Sequence, residues 1–373
     1  MEQQNQTVLA TELSTTSGHK IGVLTLNKPK ALNALDLDMA RVLLSWLQQW
    51  ERCDDVVCVV LNATGEKAFC AGGDIVSMYN AMVAAQGEIP DFLEDFFRTE
   101  YTLDYTIHNY PKPVVVWGGG IVMGGGMGLL CGASHRVVTE TSRLAMPEIN
   151  IGLYPDVGGS YFLPRLPGKT GLFLGLTASQ MSGVDACYVG LADALVRENE
   201  KDTLLEKLQQ HNWQNHNLAQ QVSTIIKTLS QPDSEPQANV ESHIDLINSL
   251  CDGDDVCTVV DNILSADMGE DKWLNRAQAT LAKGSPITAH LVFEQCKRGR
   301  DMSLADCFRM EVVMSCRCGQ SGEFQEGVRA LLIDKDHSPK WRYDSVSAVP
   351  GEVIDQFFVS PWSEEDHPLA HLK

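Results

Sequence analysis

Two carboxylates, Glu148 and Asp156, stand in the otherwise apolar stretch LAMPEINIGLYPDVGGS (144–160), just downstream of the glycine cluster VMGGGMG (122–128). Glycines leave backbone N–H groups free to point at an anion, and a helix that opens on them adds its partial positive charge. A carboxylate near such a site can give or take a proton on whatever the anion site holds. The segment therefore reads as a device for stabilising an oxyanion. Plainer readings exist for both acids: Glu148, after Pro147, could cap a short helix, and Asp156 could be an ordinary turn aspartate.

A second glycine-rich loop, CAGGD (70–74), also follows an apolar run. Either loop alone could be only a tight strand-to-helix turn. Two such loops after parallel strands can open at the same sheet end, where α/β proteins bind ligands, and each could offer one backbone N–H to a common oxygen. One donor aimed at a developing oxyanion is worth ~10²–10³ in rate, and a pair suits a thioester carbonyl. Other motifs fail on inspection. Gly168-Lys169-Thr170 resembles the end of a phosphate-binding loop, but Leu163 fills the position of its first glycine. Gly118–Gly128 never yields GxGxxG in register, because Met123 falls on the third glycine, and Phe162 replaces the closing glycine of a nucleophile elbow. His135 is the only histidine near the glycine cluster, so a Ser-His-Asp triad has little support. Cys316 and Cys318 form a CxC with no second pair and no histidine cluster, and no metal site is expected.

The elements that must position these residues alternate. IGVLTLN (21–27), VVCVVLNA (56–63), PVVVWGGG (113–120) and HRVVTET (135–141) read as strands, the apolar runs as strands buried on both faces. Met39, Val42, Leu43, Trp46, Leu47 and Trp50 recur at helical spacing. Helices are also expected through Met78 and Met82, over 90–110, and from the glycine cluster onward. Repeated βαβ units favour a parallel sheet with crossover helices. From about residue 171 the pattern is helical, QPDSEPQAN (231–239) is the best linker candidate, and helices are predicted over 240–264, 271–282 and on to about 335.

Composition limits the partners. With 373 residues, one large domain plus an appended smaller one is expected. A net charge of −20 argues against nucleic acid and anionic membranes. No apolar run is long enough to span a bilayer. The polar, acidic first sixteen residues fit neither a secretory nor a transit signal, and eleven irregularly spaced cysteines fit a reduced compartment. The expected location is cytoplasmic. Asn5-Gln6-Thr7 and Asn62-Ala63-Thr64 match the glycosylation pattern, which has no meaning without secretion.

The longer motifs carry a resemblance. LTLNKPKALNAL (24–35), EKAFCAGGD (66–74), KPVVVWGGGIVMGGGMGL (112–129) and AMPEINIGLYPDVGGSYFLPRLPGKTG (145–171) are similar to those of the crotonase (enoyl-CoA hydratase/isomerase) superfamily. FQEGVRALLIDKDHSPKW (324–341) resembles the C-terminal part of its 3-hydroxyisobutyryl-CoA hydrolase branch. The resemblance implies an α/β, crotonase-like ββα spiral core with the active site in residues 1–200, and a mainly helical C-terminal region over 201–373. It places oxyanion donors at the N–H groups of Gly73 and Gly125, the catalytic carboxylate at Glu148 and its acidic partner at Asp156. Hydratases keep a second catalytic Glu where this chain has Gly128, so the resemblance points to hydrolysis of an acyl-CoA thioester, as in valine breakdown, rather than hydration. Glu100, in FFRTEY, matches a substrate-contacting Glu of that branch or is a solvated helix-face residue. Lys28, Lys30 and Lys67 border the CoA nucleotide or are plain solvated lysines, and Phe69, Met78 and Tyr154 line the acyl pocket or belong to the core. No cofactor beyond the CoA of the substrate and no metal are expected. Homo-oligomers are common in the superfamily.

Overall fold

The structure is a computed structural model that describes residues 6–234 and 236–373. Asn5 of the first glycosylation match and Glu235 of the linker candidate lie outside the described residues. The chain forms two compact units, each assembled from three segments. The first comprises residues 1–73, 102–144 and 181–241; the second comprises 74–101, 145–180 and 242–373.

The first unit carries both sheets. Six strands, β1 Val8–Ser14, β2 Lys20–Leu26, β3 Val56–Ala63, β5 Val114–Gly118, β7 His135–Thr139 and β10 Ala194–Val196, lie in the order β1-β2-β3-β5-β7-β10. Every pair is parallel except β1 with β2, an antiparallel ribbon in register from Val8 opposite Leu26 to Ser14 opposite Lys20. The continuous apolar runs are the interior strands: all eight residues of β3 and all five of β5 are buried. A strand covered on both faces gains nothing from polar alternation. Short strands β4 Ala68–Cys70, β6 Ile121–Met123, β8 Arg143–Ala145 and β9 Met181–Ser182 form a second sheet in the order β4-β6-β8-β9. At two or three residues each, they are too short to show a period in the sequence. Helix α1 Leu37–Glu51 starts where Asp36 accepts the Met39 N–H at 2.8 Å, and it buries Met39, Leu43, Leu47 and Trp50 on one side.

The sequence boundary expected at residues 200/201 falls inside this first unit. Helices at Lys201–Gln210 and Leu218–Ile226 bring Leu204, Leu208, Val222, Ile225 and Ile226 into one core with Val23, Val57, Val60, Val115 and Val137 of the large sheet. Parallel strands need cover on both faces, and these amphipathic helices supply it on one of them. The second unit is helical, and every element after β10 is a helix or helical turn. Helix α2 Ile75–Ala85 belongs to it, while α3 Asp91–His108 gives it Asp91–Tyr101 and gives Thr102–His108 to the first unit. Helix α4 Gly125–Gly132 lies in the first unit. The longest helix of the second unit beyond residue 145, Leu304–Ser321, is capped by the Ser303 side chain, which accepts from the Asp306 N–H at 3.1 Å.

Candidate active site

The first unit assembles the two glycine loops. Gly72 takes φ +115° and lies beside the Met123 carbonyl, at 3.6 Å from where its Cβ would stand. A Cβ on Gly126 would overlap the Cys70 carbonyl, so the loop after β4 and the start of α4 are in backbone contact. The motif LTLNKPKALNAL braces this arrangement. Asn33, buried and left-handed, donates from Nδ2 to the carbonyls of Thr64 and Ala68 at 3.0 and 2.8 Å and accepts the Lys28 N–H at 2.9 Å. Leu35 then donates to the Gly72 carbonyl at 2.8 Å, and Ala71 donates to that of Leu32 at 3.1 Å.

Within this frame, neither the Gly73 nor the Gly125 N–H has an acceptor among the described residues. Gly125 is the first residue of α4, where an N–H has no intrahelical partner. Gly124, at φ +49°, makes the turn into it. Two amides predicted as donors are thus both free to donate. Helix α4 itself, GGMGLLCG, presents no titratable acid, and Gly128 sits buried in it.

The second unit assembles the acids. Glu148 opens a 3₁₀ turn, Glu148–Ile151, and is 4% exposed; its Oε2 has no hydrogen-bond partner among the described residues. Asp156 is equally buried, and its Oδ2 accepts the Tyr101 hydroxyl at 2.7 Å. Glu100, 3% exposed, leaves Oε1 without a hydrogen-bond partner among the described residues. That burial removes the solvated-helix reading of Glu100. A fourth carboxyl, Glu311 of helix Leu304–Ser321, is fully buried and accepts the N–H groups of Gly158 and Ser160, both at 2.8 Å. Between Asp156 and Gly158 the backbone takes two left-handed residues in succession, Val157 at φ +51° and Gly158 at φ +90°. A β-branched residue there is strained, and the paired amides on Glu311 hold the turn in place.

Four buried carboxyls that make no ion pair among the described residues must share few charges. Burial, then the charges of Asp156 and Glu311, hold Glu100 well above the usual carboxylate range. Burial, then Asp156 and Glu100, do the same to Glu148. Burial pushes Asp156 up to about 6, against the opposing Tyr101 hydrogen bond. Burial pushes Glu311 up to about 8, while its bonds from Gly158 and Ser160 pull the other way. A buried carboxyl titrating near neutrality beside another is the signature of acid–base work.

The remaining expectations divide. Tyr154 is fully buried, and its hydroxyl donates to the Glu311 carbonyl at 2.8 Å. Phe69 and Met78 are buried in β4 and α2. Lys28 is engaged in an ion pair with Asp36 at 2.7 Å. Lys30 and Lys67 are exposed, with no side-chain bond among the described residues. Cys316 and Cys318 are buried two residues apart on one helix, a spacing at which side chains do not share a face. Among the described residues no group of His, Cys, Asp or Glu is arranged to hold a metal, and no helix is long and apolar enough to cross a membrane. Sequence reasoning missed Glu311, Tyr101 and Ser315. The available signal was an acid and a serine inside the apolar helical run FRMEVVMSC (308–316).

Two glycine loops in backbone contact and a group of buried carboxyls fit a crotonase-like protein, and the comparisons show that family. The family model for enoyl-CoA hydratase/isomerase matches residues 21–358, and the chain belongs to that family. It is similar to the mitochondrial 3-hydroxyisobutyryl-CoA hydrolases of Danio rerio (42% identity over 91% of this chain and 87% of the relative), Xenopus tropicalis (41%, 95% and 91%) and Homo sapiens (39%, 92% and 87%). Among solved structures it is similar to an enoyl-CoA hydratase from Rhodobacter sphaeroides, with TM-score 0.82, 33% identity and coverage of 95% and 98%. A carnitinyl-CoA dehydratase from Mycobacterium thermoresistibile gives TM-score 0.83, 33% identity and coverage of 95% and 97%. The cytoplasmic location expected from sequence does not stand, because the curated relatives are mitochondrial proteins. The acidity of sixteen residues reports local charge and not compartment.

Proposed function

We propose that the chain hydrolyses the thioester of a short, branched β-hydroxyacyl-CoA, with 3-hydroxyisobutyryl-CoA as substrate and 3-hydroxyisobutyrate and CoA as products, a step of valine breakdown. The name carried by relatives at 37–42% identity supports this reading. The observation that carries it is the pair Glu148 and Asp156, both buried, with the Asp156 charge helping to hold Glu148 above the usual carboxylate range, in a chain whose helix α4 offers no further acid.

The N–H groups of Gly73 and Gly125 receive the carbonyl oxygen and strengthen as it becomes an oxyanion. The reactive form of the pair carries its proton on Asp156, which relieves Glu148 of the Asp156 charge that otherwise helps hold it protonated. Glu148 then takes a proton from water while the water oxygen bonds to the carbonyl carbon and the C=O π pair moves onto oxygen. That pair then returns, the C–S bond breaks, and sulfur leaves with its electron pair and takes a proton from Asp156. The proton gained by Glu148 replaces the one Asp156 gave, so the site returns to its starting state. Direct attack by Glu148 through an anhydride reaches the same products. No cofactor beyond the substrate's own CoA is needed. Lys30 and Lys67 are placed, in this proposal, against the CoA phosphates, where a chain of net charge −20 needs local cations.

Glu148→Gln is expected to lower release of free CoA thiol by ~10³-fold with the melting temperature nearly unchanged; near-normal turnover would remove Glu148 from the chemistry. The hydratase and dehydratase titles of the solved relatives favour a second reading, addition of water to an enoyl-CoA. Crotonyl-CoA separates the two: loss of enoyl absorbance without thiol release would replace hydrolysis with hydration.

A further inference from the structure

Behind Asp156 lies a chain of hydroxyls that the proposed reaction does not use. The Tyr101 hydroxyl is 2.7 Å from Asp156 Oδ2 and 2.7 Å from Ser315 Oγ. Ser315 Oγ is 2.9 Å from the Tyr154 hydroxyl, which is 2.8 Å from the Glu311 carbonyl oxygen. Tyr101, Tyr154, Ser315 and Glu311 are fully buried, and all belong to one unit with Asp156. The chain begins on a carboxyl and ends on a carbonyl, which only accepts.

Its protons can be counted. Four oxygen–oxygen contacts need four protons, and the three hydroxyls supply three. With Asp156 ionised, Tyr101 donates to Asp156, Ser315 to Tyr101, and Tyr154 to the Glu311 carbonyl. The Ser315–Tyr154 contact is then two lone pairs facing at 2.9 Å. With Asp156 protonated, every group donates in one direction and all four contacts are filled. An unfilled polar contact in a dry core costs more than a filled one returns. The ionised state carries that cost.

We propose that Tyr101, Ser315 and Tyr154 form a positioning relay that stabilises the protonated form of Asp156 and reverses the Tyr101 and Ser315 hydroxyls each time Asp156 loses its proton. This rests on the hydrolase reading above, in which Asp156 gives a proton to sulfur. No proton leaves the relay: two O–H bonds rotate, those of Tyr101 and Ser315, while Tyr154 keeps donating to the Glu311 carbonyl, and the donated proton is Asp156's own. An acid that titrates at about 6 can be reloaded in every cycle at neutral pH. Glu100, Glu148, Glu311, Tyr101, Tyr154 and Cys318 also face Asp156 electrostatically. Their coupling means that the observed midpoint belongs to the cluster, so the test compares variants that keep all the other carboxyls.

The counting gives two variants opposite signs. In Ser315→Ala the relay splits into Tyr101–Asp156 and Tyr154–carbonyl, two contacts with two hydroxyl protons, and the ionised state loses its penalty. The Asp156 midpoint is expected to fall by about one pH unit, the size of one hydrogen bond to an ionisable group. In Tyr101→Phe the carboxylate loses its donor, and the midpoint is expected to rise. Two readouts are taken: the high-pH limb of kcat for thiol release, and the protonated-carboxyl infrared band in pH-difference spectra, assigned by its loss in Asp156→Asn. Opposite shifts of the infrared band support the relay. Shifts of the same sign, or none, overturn it, since a purely structural role lowers rate without moving a midpoint. If the band shifts oppositely but the unmutated protein releases no thiol from acyl-CoA esters, the relay stands and the hydrolase reading falls.

Discussion

In the first unit the groups offered to negative charge are backbone amides, those of Gly73 and Gly125, fixed by loops so close that Gly126 admits no Cβ. In the second the working groups are side chains, Asp156 and three further buried carboxyls, and the turn that carries Asp156 places Val157 at φ +51° where glycine would sit without strain. One region obtains its geometry from the absence of side chains and has no titration to disturb. The other obtains its chemistry from titration and spends backbone strain to hold it. Donors that must not move are best made from the main chain, whereas a group that must exchange protons needs a side chain and an environment that shifts it.

The largest effect expected from breaking this contrast is at Gly126. Gly126→Ala forces α4 away from the Cys70 carbonyl and so displaces both donor loops. Turnover should fall by ~10²–10³-fold, the worth of a donor, for a stability loss of only ~1–3 kcal/mol. Gly351→Ala, where a Cβ meets nothing within 4 Å, serves as the neutral control in the same thiol-release and melting assays. Equal effects from the two substitutions would show that loop contact does not set the donors.

A smaller effect is expected at Glu311. A glutamine there can still accept through Oε1, but its amino group faces a backbone N–H that also donates, so one of the two bonds from Gly158 and Ser160 is lost. Turnover in Glu311→Gln should drop by about tenfold, from the loosening of the Asp156 turn. The melting curve sharpens the test. Glu311 binds its proton up to about pH 8 in the folded chain against an ordinary value of 4.5. The folded state then holds more protons than the unfolded one throughout that window, and stability falls as pH rises from 4.5 to 8. Asp156, raised from 3.8 to about 6, adds the same sign over the lower part. Melting temperature should therefore decline between pH 5 and pH 8, and Glu311→Gln should flatten the decline. A rising curve in the unmutated protein would mean that these carboxyls are ionised when folded.

The same contrast explains what the sequence could reveal. Main-chain devices leave local traces: GGD at 72–74 and GGG at 124–126 appear as glycine strings after apolar runs, and β3 and β5 lie where those runs predict. Glu148 and Asp156 were legible because each is an acid in an apolar setting within a familiar motif. Side-chain networks leave almost none. Glu311 and Ser315 reach Gly158, Ser160 and Tyr154 from more than 150 residues away, and nothing local distinguishes a buried helical Glu from a solvated one until packing is known. Strands β4, β6, β8 and β9 were hidden for a related reason, since two or three residues show no period. Strand β1 was hidden because its polar residues belong to an edge, where one face meets water.

The smallest effect is at Val157, and it comes from a near-cancellation. Val157→Gly removes a buried side chain worth ~1.5–2 kcal/mol and adds chain entropy to the unfolded state at ~0.5–1 kcal/mol. It also releases a left-handed strain of ~1–2 kcal/mol. The net loss is expected to be about 1 kcal/mol. Val137→Gly in the parallel strand β7, equally buried but without strain, should cost roughly 3 kcal/mol because no term offsets the cavity. Paired denaturant titrations read the difference. Activity should order the two the other way, with Val157→Gly losing more turnover per kcal/mol, since glycine frees the turn that aims Asp156. If both variants lose stability equally, the left-handed turn at 157 carries no strain, and the second unit holds its acid by packing alone.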